Sequence, residues 1–200
     1  MLIPGQFTFT DAGGLKPTRS VPDSNGSFPV KIFIFSGRGY YTMDILKIPR
    51  MKKQEYDQLI RESTVCRIAF RGDDFPYIAP FLYVFDGKFM YFLSTRYGRK
   101  IDYFRKNPAV SVEVDRFTPD LSCYTFMSLQ GILEEVPDAT IAAKIRQDFV
   151  DMIRERNISL NILAALGHSP DDPPESITRG ERTVVWKLTG VRDIVALKNG

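Results

Sequence analysis

From residue 65 the chain breaks into short apolar runs rich in β-branched and aromatic side chains. VCRIAF (65–70), YIAPFLYVF (77–85) and KFMYFLS (88–94) each predict a strand. Asp86-Gly87 joins the last two, and that dipeptide predicts a tight hairpin because both central turn positions take φ > 0. In AVSVEVD (109–115), Val110, Val112 and Val114 alternate with Ser111, Glu113 and Asp115, the pattern of a half-buried strand. SCYTFMSLQGILEEV (122–136) predicts a long strand in which Gly131 marks a bend or bulge, and TVVWKLTG (183–190) predicts the last one. Helical spacing appears between these runs. Tyr56, Leu59 and Ile60 share one face of a first helix, and RKIDYFRKN (99–107) predicts a short helix ended by Pro108. After Pro137 and Asp138, the residues Ile141, Ile145, Phe149, Met152 and Ile153 form the stripe of the longest helix. SLNILAAL predicts a fourth, starting at a Ser159 cap and stopping at Gly167. About six strands with helices set between them predict a mainly β fold, a barrel decorated by peripheral helices.

Residues 1–42 show no sustained period; Gly, Pro, Ser and Thr surround one apolar run, Val30 to Phe35. They are expected to be an irregular appendage to a domain over 43–200. Met43 opens MDILKIPRMKKQEYDQLI in the manner of a protein start, so our reading takes it as the initiator and residues 1–42 as a start-site misassignment. The formal charge of +3 adds little, because Lys16, Arg19, Lys31 and Arg38 against Asp11 and Asp23 place +2 of it in that segment. The remainder lacks the clustered basic field of a nucleic-acid binder, so no nucleic-acid partner is expected and any phosphate partner should be local. No window approaches the roughly 18 apolar residues of a membrane span, and no basic-then-apolar leader occurs; the cytoplasm is the expected address. Cys66 and Cys123 lie in apolar strand-like runs without CxxC spacing, which predicts two buried, reduced thiols. One histidine, His168, sits after Gly167 before a Pro-rich loop, the place of a surface or C-cap residue, and no metal site is expected.

The stretch 77–108 carries the chemistry. A hairpin strand ends in Ser94 and Thr95, a polar turn holds Gly98, and a helix opens on Arg99 and Lys100. Free N–H groups in a helix's first turn attract an anion, and two hydroxyls with two cations converge on the same place, which suits a phosphate. Cations in a first turn otherwise oppose the helix dipole. The plain alternative is that Arg99 and Lys100 are solvated surface charges. Trp186 and Arg192 together carry a weaker case for a site, with a structural strand role the favoured alternative for Trp186.

The run S-T-x-x-G-R-K, followed seven residues after Lys100 by Asn107-Pro108, is similar to the T-N-x-x-S-R-K and Asn-Pro segment of pyridoxamine 5′-phosphate oxidases. The hairpin before it and the V-x-V-x-V strand after it resemble the wider FMN-binding split-barrel superfamily, including its nitroimidazole-resistance-like branch. The likeness covers about Met51 to Val136. It implies a Greek-key split β-barrel, FMN as cofactor, and a C2 homodimer with each flavin at the subunit interface. It implies that Ser94, Thr95, Arg99 and Lys100 clamp the flavin phosphate, and that Ile78, Ala79, Pro80, Phe81, Leu82 and Tyr83 form the strand along the ring. Tyr124 and Phe126 are candidates for the cross-subunit wall, with core packing as the alternative. The oxidases carry Arg and Lys at the two ends of the ring-side strand, where this chain has Ile78 and Tyr83, and a Gln where Phe126 stands. Leu93 replaces a histidine common in nitroimidazole-resistance-like proteins. The oxidases' substrate-binding arginine pattern at the C-terminus is not reproduced, so oxidation of pyridoxamine phosphate itself is not expected. The resemblance implies an FMN-dependent oxidoreductase acting on an unidentified small molecule, with no catalytic residue assigned. An F420-dependent reductase on the same fold and a non-catalytic flavin-binding or sensing protein are the alternatives.

Overall fold

A computed structural model describes residues 31–36, 39–44 and 48–199. The chain divides into two compact units, Met1–Lys47 and Ile48–Gly200. In the first, strands β1 (Lys31–Ser36) and β2 (Gly39–Asp44) pair antiparallel from Lys31↔Asp44 to Ser36↔Gly39. Irregular structure was expected there. The apolar run at 30–35 is instead one arm of a hairpin, and β2 runs through Met43. The expectation for residues 1–30 lies outside the described residues.

The second unit is built on a closed six-stranded antiparallel barrel with helices around it. Its elements are α1 (Lys53–Glu62), β3 (Val65–Phe70), β4 (Tyr77–Phe85), β5 (Met90–Thr95), α2 (Arg99–Lys106), β6 (Ala109–Phe117), β7 (Tyr124–Glu135), α3 (Ala139–Glu155), α4 (Ile162–Ala165), a 3₁₀ turn (Pro174–Arg179) and β8 (Thr183–Asn199). The strands close in the order β3-β4-β5-β8-β7-β6, with β6 returning to β3. The step from β5 across to β6 by way of α2 gives the expected Greek-key connection.

Alternation along the strands sorts the side chains into two cores. Cys66, Ile68 and Phe70 of β3, Phe81 and Tyr83 of β4, Phe92 of β5, the three valines of β6 and Trp186 of β8 fill the barrel. The opposite parity, Leu82, Tyr91, Leu93 and Val185, packs outside it against Ile145, Phe149, Val150 and Ile153 of α3. β5 is therefore buried on both faces, which is why MYFLST lacks polar alternation. Asp138 caps α3, its carboxylate accepting from the amides of Thr140 and Ile141 at 2.8 and 2.9 Å. Gly131 marks the expected bulge, where the β7–β8 register shifts between Gln130 and Ile132. A Cβ there would stand 2.8 Å from the Thr189 carbonyl oxygen, so the bulge needs glycine for close backbone approach.

Four expectations are corrected. β8 does not stop at residue 190 but runs to Asn199, pairing with β7 over Trp186–Thr189 and again over Asp193–Asn199. α4 is a single turn rather than an eight-residue helix, and Ser159 Oγ accepts from the Asn161 amide before it. His168 follows the helix end, its amide bonded to the Leu163 carbonyl, but its side chain is only 7% exposed, and burial together with Arg182 lowers its pKa. Cys123 is exposed in the β6–β7 turn, because the apolar run containing it becomes strand one residue later; Cys66 is buried, and that burial pushes its thiol pKa up. A thiol-specific reagent at neutral pH should therefore label one cysteine in the native protein and two in denaturant. Rapid native labelling of both would show that β3 is not sealed in the barrel.

Candidate functional site

The barrel closes through all six strands, but β4 and β5 part at one end, and this gap follows from register. β4 pairs with β3 over Tyr77–Leu82 but with β5 only over Tyr83–Phe85. On the β5 side, residues 77–82 have no strand partner, and Leu93, Ser94 and Thr95 of β5 keep only their pairing with β8 along the other edge. A run of backbone donors and acceptors is thus left facing the opening, and such groups require a partner. The aromatic cluster of Phe70, Phe81, Phe92, Phe104 and Trp186 lies beneath, with ring centroids 4.8 to 6.2 Å apart.

α2 opens across this gap. Gly98, the residue before it, has φ +95, a left-handed value that explains the glycine, since the space around it is open. No side chain caps α2, and among the described residues the amides of Arg99 and Lys100 have no acceptor. The Lys100 ammonium lies 5.6 Å from the centre of the Phe81 ring, half-buried, and burial lowers its pKa. Neither Arg99 nor Lys100 is ion-paired among the described residues, although eight other Lys and Arg side chains of this unit are. An uncapped helix start with two unmatched cations fits a phosphate monoester on grounds of charge and donor geometry.

The hydroxyls are placed differently. Ser94 points into the barrel and Thr95 to the α3 side, both buried. Ser94 Oγ donates to the Thr95 carbonyl and Thr95 Oγ1 to the Tyr97 carbonyl, each at 3.0 Å. Either hydroxyl must turn before it can donate to a phosphate. The ring-side candidates divide too. Ile78, 61% exposed, and Pro80 face outward, whereas Ala79, Phe81 and Tyr83 point into the core and Leu82 lies under α3. A flat ring along β4 would meet the side chains of Ile78 and Pro80 and only the backbone of the others.

Tyr83 closes the far end of that strand. Its hydroxyl donates to the Ile60 carbonyl at 2.7 Å, tying β4 to α1, so a buried neutral group stands where the oxidases present a lysine. Beyond it, α1, β4 and α3 enclose a cleft of about 550 Å³ with mixed charge: Arg61, Lys144 and Arg156 face Asp86, Asp148, Asp151 and Glu155. Trp186 is fully buried in the aromatic cluster, and Tyr124 and Phe126 are half-buried on the outer face of β7. Arg192 is exposed beside a cleft lined by Ser111, Gln130 and Gly131. Among the described residues no group of three His, Cys, Asp or Glu side chains could hold a metal, and no helix is long and apolar enough to cross a membrane.

A family model described as pyridoxamine 5′-phosphate oxidase matches residues 52–188. An uncharacterised protein of Rhizobium meliloti (strain 1021) is 31% identical over 87 residues; the match covers 44% of this chain and 56% of that relative. The chain thus spans a little over half the length of that curated relative. Among solved structures, an FAD-binding protein from Mesorhizobium loti superposes with a TM-score of 0.56 at 20% identity, covering 78% of this chain and 100% of that one. A candidate 5-nitroimidazole antibiotic resistance protein from Bacteroides thetaiotaomicron gives 0.51 at 16% identity, covering 76% and 87%. At these identities the structural likeness establishes the shared split-barrel fold.

Proposed function

The chain belongs to the pyridoxamine 5′-phosphate oxidase family, and we propose that it binds a flavin nucleotide, FMN, in the gap between β4 and α2 and serves as a flavin-dependent oxidoreductase on a small molecule. The carrying observation is the uncapped start of α2, with Arg99 and a half-buried Lys100 unpaired beside the open edge of β4. The phosphate sits on the two cations and the first-turn amides, with Ser94 and Thr95 as hydroxyl donors after rotation. The ring lies along Ile78–Tyr83, where the unpaired backbone can hydrogen-bond its polar edge and the side chains of Ile78 and Pro80 cover its face.

When bound, the flavin supplies the hydride or electron transfer, and the protein's part is binding, orientation and exclusion of water. Ile78 and Tyr83 leave the ring-side strand without cations at either end, so this strand gives the ring a less basic surrounding than the oxidases provide. We further propose a C2 homodimer in which Tyr124 and Phe126 of one protomer wall the flavin of its partner. The FAD-binding relative makes FAD a companion candidate to FMN, and F420 carries a phosphate that the same clamp would accept.

The test is a visible spectrum of the purified protein, followed by denaturation and mass identification of what is released. We expect a yellow protein releasing FMN. Release of FAD or F420 would redirect the cofactor while keeping the site. A colourless protein that takes up none of the three would overturn the flavin reading. If FMN is bound but neither NADH nor NADPH reduces it, the non-catalytic flavin-binding alternative replaces the oxidoreductase.

A further inference from the structure

Where α3 passes the start of β8, the fold buries a positive charge without neutralising it. Arg146 is only 8% exposed. Its Nη2 donates to the Thr183 carbonyl at 3.2 Å, and among the described residues its Nε has no partner and it forms no ion pair. The other cations of this helix are accounted for: Lys144 pairs with Asp148 and Arg154 with Glu175. Arg156, just past its end, donates to the carbonyls of Arg61 and Glu62. A buried guanidinium with one hydrogen bond among five N–H donors is costly unless something else satisfies it.

Arg146 lines a cleft of about 480 Å³ that also has Arg96 and Arg179 in its wall, with the carboxylates of Glu135 and Glu181 as its acidic members. None of these five side chains is ion-paired among the described residues, so the two carboxylates do not quench the three guanidinium groups. Burial and the nearby Arg96 both act against the charge on Arg146, the environment an anion would relieve. The Thr183 hydroxyl next to it is likewise buried, with no partner among the described residues. Planar guanidinium groups match the geometry of phosphate and carboxylate oxygens, and the volume suits a small ligand.

We propose that this cleft is a second oxyanion site, in which Arg146 holds the phosphate or carboxylate group of a small-molecule ligand and Arg96 and Arg179 flank it. The site stands apart from the flavin clamp, although Arg96 belongs to the loop that leads into Arg99 and Lys100. It does not depend on the flavin assignment.

The test is calorimetric titration of the full chain carrying R99A/K100A, so that the flavin clamp does not contribute. Methyl phosphate and sodium acetate are the probes. Saturable binding of one of them is expected, and the better-bound probe identifies the class of ligand group. Adding R146M should weaken it at least about tenfold, the scale of a lost hydrogen bond to a charged group. No binding of either anion, or unchanged affinity with R146M, overturns the proposal. Should R146M fail to fold, R96A/R179A alters exposed side chains only and carries the same expectation; unchanged affinity there overturns it equally.

Discussion

R99A/K100A should weaken FMN binding by roughly two orders of magnitude or more while leaving riboflavin within a fewfold of the parent protein, since charge-assisted bonds contribute about 1.5–3 kcal/mol each. The contrast between the two ligands is the point, because riboflavin has the same ring without the phosphate. Lys100 is the more effective of the pair on structural grounds: it is half-buried over Phe81, where screening by solvent is weaker, whereas Arg99 is exposed. K100A alone should therefore account for most of the loss, and added salt should erode the Arg99 share first. Equal losses for FMN and riboflavin, measured by fluorescence titration, would show that the pair does not hold the phosphate. Stability should barely change, because neither cation is ion-paired among the described residues.

The helix start and the hairpin before it were legible because their signals are local. The apolar runs at 65–70 and 77–85 and Pro108 act within a few residues, and the strands and α2 follow them closely; Asp86-Gly87 does join β4 to β5, but through a loop over 86–89 in which Gly87 has positive φ and Asp86 does not. The gap in the barrel was not legible. It arises because the β4–β5 pairing ends at Tyr83↔Phe92 although both strands run on, and where a pairing stops leaves no mark on neighbouring residues. The far half of β8 was hidden for a related reason. Arg192 and Asp193 break the alternation after Gly190, yet pairing with β7 continues. Ser94 and Thr95 show a further limit: adjacent in sequence, they face opposite sides of β5, so their shared motif does not make them neighbours in space. Arg146 escaped notice because it follows Ile145 on an amphipathic helix, where a cation beside the apolar stripe reads as solvated.

Trp186→Ala should cost about 3–5 kcal/mol, the range for removing a large buried aromatic, whereas Trp186→Phe should cost less than about half of that. For a domain with a typical stability of roughly 5–15 kcal/mol this is a large fraction, visible as a drop in the urea midpoint at nearly constant slope. The indole is fully buried and packs on Phe104 at 4.8 Å, on Phe81 at 6.0 Å and on Phe70 at 6.2 Å. Its N–H has no partner among the described residues, so phenylalanine removes an unsatisfied donor while retaining a ring. The position also links stability to the site. Phe104 belongs to α2 and Phe81 carries the Lys100 ammonium, so a hole at 186 lets both shift and moves the cation relative to the helix start. Trp186→Ala should accordingly weaken FMN as well as fold stability, and Trp186→Phe should restore most of both. Equal midpoint losses for the two variants would place the contribution of Trp186 in its N–H rather than its packing. A fully stable Trp186→Ala protein would mean that the aromatic cluster does not support α2.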